Sequence, residues 1–483
     1  MGKIKEILIN TFDRGMSNDP RSSDFRKFYH TKHFDTFTYP HKLVPRFTTS
    51  EEVGTIGTDY TTLRFIYDAD DNGDYKLWLL VRSGAGKAAL FKYNEDTDTW
   101  DVPVGNLFDT ISVKEDVFIN YKGYAYVFDG SRYLMRYKLD ESAGTDETYA
   151  DFTAFTEVSQ PVHFTKDDIL YLPVDNKIYK KDDTDAPALA LTLPDTGFVV
   201  GICEYGDYLA IAFNYTNEIK SVIFLWDRND SVVTTSKRWE LPSSKIYQIA
   251  NLNGRLMVVD TDFIKVTARR YNGSEFEKLQ ELSSVRKSFL EDQMSKFNMI
   301  VDDKLYFPMD YDAPSENTRL GIWALDSNGR LALDFMVKDA TTYKGLFYLQ
   351  GNFWICYNTT KVAKSGITFS TTLPSIYEAL FFKGATKDEY NEDKEIIKVG
   401  VITEKMPTAG QIVLKYRTKE DEAWTTIFTH TTDDSQYHES VNIEADGSLI
   451  PQFKELQFRV ESTGGAVVTG LVIKYELIDS NLS

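Results

Sequence analysis

Asn253-Gly-Arg-Leu-Met-Val-Val (253–259) reads as a tight turn that leads into a strand. Asn-Gly supplies the positive backbone angles of a two-residue hairpin, and the apolar run after it suits a pleated surface. The phrase recurs. Upstream it stands as Asn72-Gly-Asp-Tyr-Lys-Leu-Trp-Leu-Leu-Val, Lys122-Gly-Tyr-Ala-Tyr-Val-Phe, Asp167-Asp-Ile-Leu-Tyr-Leu-Pro-Val and Gly206-Asp-Tyr-Leu-Ala-Ile-Ala-Phe. Downstream it stands as Asp302-Asp-Lys-Leu-Tyr-Phe-Pro-Met and Gln350-Gly-Asn-Phe-Trp-Ile-Cys-Tyr. The equivalent apolar positions Leu77, Tyr124, Leu170, Leu209, Leu256, Leu305 and Phe353 are separated by 47, 46, 39, 47, 49 and 48 residues. Strands repeating with a period near 45 are the signature of a β-propeller.

Each unit continues into a second strand, as in Ala-Leu-Phe-Lys-Tyr (89–93), Tyr-Leu-Met-Arg-Tyr (133–137) and Val-Ile-Phe-Leu-Trp (222–226). The first strand of each pair is almost wholly apolar, as expected of one buried on both faces near a central axis. The second alternates more often, one face against a neighbouring blade and one in water. Asp98-Thr-Trp-Asp-Val and Lys237-Arg-Trp-Glu-Leu fit blade-end strands. The expected fold is all-β, a seven-bladed propeller over 51–385 followed by a small C-terminal β-sandwich over 391–483. Stacking seven blades in a circle buries faces that no blade buries alone. Such rings close by borrowing a strand from the other end of the chain, and Lys5-Glu-Ile-Leu-Ile-Asn is the expected donor. Leu279, Leu282, Val285, Phe289, Leu290 and Met294 have helical spacing, which predicts a helix inserted within 277–297. Beyond it, Lys387-Asp-Glu-Tyr-Asn-Glu-Asp-Lys-Glu reads as a charged linker. Six strand-like segments follow (396–402, 411–416, 423–429, 437–443, 455–460 and 467–477), the pattern of a sandwich.

Charge divides the chain unevenly. The total is −19, yet residues 1–50 hold nine Lys/Arg against five Asp/Glu (+4), so the remainder carries −23. A basic arm on an acidic body is either a partner-binding element or a tail lying on its own body. In the first case Arg14, Arg21, Arg26 and Lys27 are the residues expected to touch the partner. An anionic body opposes broad phosphate binding. No apolar run approaches the ~18 residues of a membrane span, and the N-terminus lacks a signal peptide's apolar core. Synthesis in a cytoplasm without a membrane anchor is therefore expected. Cys203 and Cys356 are too few for a disulfide framework or a structural zinc site, and both sit in apolar runs that read as core.

Local motifs that invite chemistry fail on their missing members. Ser83-Gly-Ala-Gly-Lys-Ala lacks the Gly at 81 and the Ser or Thr at 88 of a phosphate loop; Val81 and Ala88 stand there. Asp68, Asp70, Asn72 and Gly73 open like a calcium loop, but Leu79 occupies the place of its bidentate Glu, so a hairpin turn is expected. No Asp-box repeats, and nothing selects one carboxylate pair at glycosidase spacing. His163, His430 and His438 neighbour no motif-like Ser or Cys. No catalytic residue, cofactor or metal ligand is expected.

The arm carries a resemblance. Asn10-Thr-Phe-Asp-Arg-Gly-Met-Ser-Asn-Asp-Pro-Arg, then His33-Phe-Asp-Thr-Phe and Lys42-Leu-Val-Pro-Arg, resembles the opening of tail proteins from tailed bacteriophages. Met299-Ile-Val-Asp-Asp-Lys-Leu-Tyr-Phe with Leu320-Gly-Ile-Trp-Ala-Leu is similar to a mid-propeller phrase of that group. Phe289-Leu-Glu-Asp departs from it where the group has a Gly-Cys turn. Lys454-Glu-Leu-Gln-Phe-Arg-Val-Glu and Val468-Thr-Gly-Leu-Val-Ile-Lys-Tyr-Glu resemble its closing sandwich. The likeness is nearest to the nozzle or hub proteins of short-tailed phages. It implies a non-enzymatic virion protein, assembled in the bacterial host cytoplasm as a ring, commonly sixfold, that extends the DNA channel below the portal. Its partners would be further copies of itself, portal or adaptor proteins, and fibre or needle proteins. DNA would be only a passing, weakly held polymer, in keeping with an acidic body. Two other readings stand beside it: a carbohydrate-binding or glycan-processing propeller, and a monomeric interaction scaffold. Exposed aromatics and paired carboxylates converging at the propeller's central mouth would mark the first.

Overall fold

The computed structural model describes residues 4–478 except 102–112, 140–146, 284–297, 432–438, 443–449 and shorter breaks of one to four residues. The chain is all-β. Seven four-stranded antiparallel sheets follow one another as blades 1 to 7: 60–101, 113–151, 162–192, 197–242, 245–283, 299–335, and 343–365 joined by 50–52. First strands of neighbouring blades touch, Gly197–Tyr205 against Lys245–Leu252 and Tyr343–Leu349 against Tyr60–Ala69, so they encircle the axis.

The seven apolar phrases become the second strand of each blade, one place out from the axis. Leu77, Leu170, Leu209, Leu256 and Leu305 are all at most 2% exposed. The turns before them are what the sequence dictates. Lys122-Gly123, Asn253-Gly254, Asp302-Asp303 and Gln350-Gly351 each hold two consecutive positive φ angles, the type I′ geometry whose twist matches a hairpin. The true innermost strands are less apolar, for example Lys245–Leu252, because one of their faces turns toward the axis. The blade-end strands fall at Thr99–Asp101 and Arg238–Pro242.

Ring closure differs from the expectation. Ser50–Glu52 supplies the outermost strand of blade 7, pairing Ala363 with Glu52 and Ser365 with Ser50. Ile4–Ile9, the expected donor, instead pairs with Val468–Leu477 in the sandwich. Proximity explains the choice: Ser50–Glu52 directly precedes blade 1, so the chain closes the ring where it enters it. Ile4–Ile9 buries Ile9 on the sandwich while Ile4 and Leu8 face outward. The expected helix is also corrected at its start, where Phe276–Ser283 is the fourth strand of blade 5; residues 284–297 lie outside the described residues.

The sandwich consists of one sheet ordered Ile4–Ile9, Val468–Leu477, Lys394–Thr403, Glu439–Asn442, and another ordered His30–Lys32, Ser375–Glu378, Gln457–Thr463, Gln411–Arg417, Thr425–His430. The six strands read from the sequence are thus joined by two from the arm and one from 375–378. The charged segment 387–395 is a folded turn that runs into the strand Lys394–Thr403. Glu389 is buried within it and accepts hydrogen bonds from the Ala385 amide, Thr386 Oγ1 and the Tyr475 hydroxyl, and pairs with Lys5. Lys394, fully buried, donates to the carbonyls of Glu389 (2.6 Å), Glu392 (2.7 Å) and Lys454 (3.1 Å).

Blade 6 shows where the two parts join. Outer strands of blades 3 and 4, Ala188–Thr192 and Arg238–Pro242, are largely open to water. Its own outer strand, Leu331–Phe335, is buried from end to end, because the arm lies along it. One continuous apolar cluster accordingly runs from Tyr247 and Phe307 in blades 5 and 6 through Phe12, Phe28 and Phe34 to Phe458 and Tyr475 in the sandwich.

Candidate partner-binding site

The arm is held by ions as well as by apolar side chains. The two-stranded hairpin Phe34–Asp35 with Val44–Pro45 brings Asp35 and Arg46 to blade 6. Arg46 donates through Nε to Asp334 Oδ1 (3.0 Å) and through a terminal nitrogen to the Tyr306 hydroxyl (3.2 Å), and lies 3.5 Å from Asp35 Oδ2. Asp334 is completely buried; burial pushes its carboxyl up to about 6 against the pull of Arg46. Burial also raises Asp35, but Arg46 and the amides of Thr38 and Phe37 together hold it below the usual carboxylate range. The His33 amide bonds the Asp334 carbonyl, and burial with Lys32 nearby depresses its imidazole to about 3, so the ring is neutral. His33-Phe-Asp35 and Leu43–Arg46, two phrases that carry the resemblance, therefore build one junction.

The four arm cations expected to touch a partner divide into two pairs. Arg21 grips Glu455 of the sandwich with both Nε and a terminal nitrogen (2.9–3.1 Å) and lies over Phe381. Arg26 forks onto Asp13 within the arm and holds that carboxyl below its ordinary range. Both are spent on the chain itself. Arg14 and Lys27 have no carboxylate partner among the described residues. Both line a cavity of about 740 Å³ walled by Asp13 and Met16 of the arm, Gln280 and Glu281 of blade 5, and Gly329 and Arg330 of blade 6.

The cavity floor is firmly built. Gln280 uses its whole amide: Nε2 donates to the Met16 and Leu331 carbonyls (2.9 Å each), and Oε1 accepts from the Leu331 amide (2.7 Å). Arg330 binds Asp326 and reaches the carbonyls of Asp13 and Phe37 (3.3 Å each). Gly329 has φ +81°, and a β-carbon there would strike the Leu279 side chain. Glu281 is paired with Lys265 and Lys278. Arg14 and Lys27 are left without a carboxylate partner among the described residues.

The other motifs settle into scaffold roles. Asp68 Oδ2 accepts from Asn120 of blade 2 (2.8 Å) and Oδ1 from the Ala69 amide; Asp70 and Asn72 lie outside the described residues. The Gly84–Lys87 stretch, also outside them, joins the second and third strands of blade 1. Cys356 is buried; Cys203 is half-buried, and burial pushes its thiol up to about 12. His163 pairs with Asp168 (2.7 Å), which also binds Lys122 of blade 2. The most exposed aromatics among the described residues, Tyr39, Tyr75 and Phe369, are scattered over the arm, blade 1 and the link to the sandwich. Tyr93 and Trp354 do meet Glu95 and Asp98 at a second cavity of about 310 Å³, but both rings are at most 5% exposed and offer no stacking face.

Sequence reasoning missed Arg46, Asp334, Gln280 and Lys394. A single Asp inside the apolar Leu331-Ala-Leu-Asp-Phe run was the signal for the first two. Gln280 gave none, since its three acceptors and donors come from segments remote in the chain.

No family model and no curated protein matches this chain. Solved structures similar to it include the extracellular domain of a hybrid two-component system from B. thetaiotaomicron (11% identity, 72% of this chain and 43% of that one, TM-score 0.46). Virginiamycin B lyase from Staphylococcus aureus (14%, 65% and 98%, 0.44) and the Cps50 (Swd1) β-propeller domain from Myceliophteria thermophila (10%, 66% and 100%, 0.44) are further examples. The chain spans less than half the length of the first of these. The likeness is one of fold alone and assigns no activity.

Proposed function

We propose that this chain is a non-catalytic structural protein of a phage tail, a nozzle or hub subunit that assembles as a ring around the DNA path. The observation that supports this reading is the arm–blade 6 junction. The arm phrases that resemble phage tail proteins are remote from Asp334 in sequence, yet they supply the ion cluster that fastens the sandwich to the propeller. A net charge of −19 suits a passage along which DNA slides without sticking, because like charge keeps the polymer from being held. Portal or adaptor proteins on one side and fibre or needle proteins on the other are the partners this role calls for, and the virion tail is its place. The glycan reading loses ground because the most exposed aromatics among the described residues do not converge.

The test is the mass of the purified protein at near-physiological salt, with negative-stain images of the same sample. A closed ring of several copies with a central passage is expected. A 55.3 kDa monomer at every concentration, with no ring in the images, overturns the reading.

A further inference from the structure

The cavity between arm, blade 5 and blade 6 has a hydrogen-bonded floor and two cations without a carboxylate partner among the described residues. Its Gln280, Arg330, Asp13 and Glu281 side chains are all engaged within the chain, whereas the side chains of Arg14 and Lys27 have no carboxylate partner among the described residues. An occupant must therefore bring negative charge. A nucleic acid fits badly, since the chain outside residues 1–50 carries −23 and would repel an extended polyanion along its whole length. A polypeptide segment with a few separated carboxylates matches both the charge and the size of the space.

The chain carries such a segment itself. Glu95, Asp96, Thr97 and Asp98 form an exposed turn between the third and fourth strands of blade 1. The residues 328–330 at the cavity occupy the same kind of turn in blade 6. In an antiparallel blade these turns lie on the same side as those between strands one and two. Cross-blade bonds confirm the common level, as where Arg255 of blade 5 donates to the Ser327 carbonyl of blade 6 (3.0 Å). Copies arranged side by side about an axis parallel to the propeller axis bring the two features to one height.

We propose that the Arg14/Lys27 cavity receives the acidic Glu95–Asp98 turn of a second copy of this chain, which makes it one half of a head-to-tail contact. The inference rests on the reading of this protein as a ring subunit and names the surfaces that join. Two such surfaces on different parts of the molecule are what a heterologous, ring-closing interface requires. Opposite charges at its rim set partner choice and association rate more than total affinity.

Sedimentation velocity on the full chain tests it, with wild type, Arg14→Glu/Lys27→Glu, Glu95→Lys/Asp96→Lys, and the four-fold combination. These side chains support no fold contact described above, so each variant should melt with wild type. Either double reversal should weaken self-association about tenfold or more, and the four-fold swap should restore most of it. Assembly indifferent to the Arg14/Lys27 reversal overturns the site and leaves the ring reading standing. Weakening without recovery in the four-fold swap overturns the Glu95–Asp98 turn as occupant. A wild type that never associates overturns the site and the ring together.

Discussion

Arg46→Met would strip the guanidinium that faces two buried carboxylates, Asp35 and Asp334. Methionine keeps most of the volume, so packing along Leu331–Phe335 survives and the loss is electrostatic. Breaking a buried pair by removing one partner costs about 3–5 kcal/mol, because the remaining charge is left without compensation. Both Arg46 contacts, at 3.0 and 3.5 Å, would be lost at once, and the Tyr306 hydroxyl would lose its donor. The upper half of that range is therefore expected at neutral pH.

The pH dependence separates this account from simple packing. Asp334 is held up to about 6, above its ordinary 3.8, so its contribution is fully present at low pH and lost as pH rises through 6. Asp35 is lowered, so its contribution is present above the unfolded value and lost as pH falls. In wild type the two oppose each other. Without Arg46 both carboxyls move upward, with His33 neutral and only Lys304 left to help Asp334. The deficit of Arg46→Met should then be smaller at pH 4, where Asp334 is protonated and only the Asp35 pairing is lost, and full by pH 8. Urea unfolding at pH 4, 6 and 8, followed by intrinsic tryptophan fluorescence, to which the fully buried Trp323 of blade 6 contributes, reads it. Arg46→Lys should recover part of the loss through charge without the fork. A deficit under about 1 kcal/mol at pH 8, or one that does not change with pH, would refute the reasoning.

Three further outcomes follow from the same structure. Lys394→Met leaves the buried Glu389 carbonyl and the part-buried carbonyls of Glu392 and Lys454 without their donor and should cost about 1–3 kcal/mol in thermal or urea unfolding, a loss that a merely solvated lysine would not show. Burial raises the Glu389 carboxyl, but Lys5, Tyr475, Thr386 and the Ala385 amide hold it down to about 2; its stabilisation is present above pH 4.5 and lost as pH falls toward 2. Glu389→Gln should therefore flatten that acid limb of a stability–pH curve. Deleting residues 1–10 should loosen the sandwich edge while the propeller stays protected from protease, whereas deletion through residue 52 should open blade 7 to cleavage near residues 361–365.

The blades were legible because their second strands are buried on both faces and must be apolar throughout, and because type I′ turns demand Asn-Gly-like pairs. Leu209-Ala-Ile-Ala-Phe and Leu256-Met-Val-Val announce themselves for that reason. The innermost strands were not legible, since polar residues interrupt their apolar runs, as where Gln248 is buried against Asn298 and Asn251 is half-buried. The destination of Ile4–Ile9 was hidden by a different cause. Its alternation fits any half-buried edge strand, and only tertiary pairing with Val468–Leu477 selects one. Of the candidate site, the basic arm was visible as a charge excess. Which cations were spent was not, because Glu455 lies 434 residues from Arg21.

That division of the arm bears on how the molecule carries force. Arg21, Arg26, Lys5, Lys42 and Arg46 are all consumed in binding the arm to Glu455, Asp13, Glu389, Glu404 and Asp334. Three of these acids belong to the sandwich and its entry turn, one to blade 6 and one to the arm itself. The apolar cluster beneath them is continuous from blade 5 to the sandwich, whereas blades 1 to 4 are packed by smaller clusters shared between neighbours. A pull on the sandwich therefore reaches blades 5 and 6 through a common core before it can separate the two parts. Such a join holds the sandwich and blades 5 and 6 together as one packed unit, and it leaves Arg14 and Lys27 at the cavity between them.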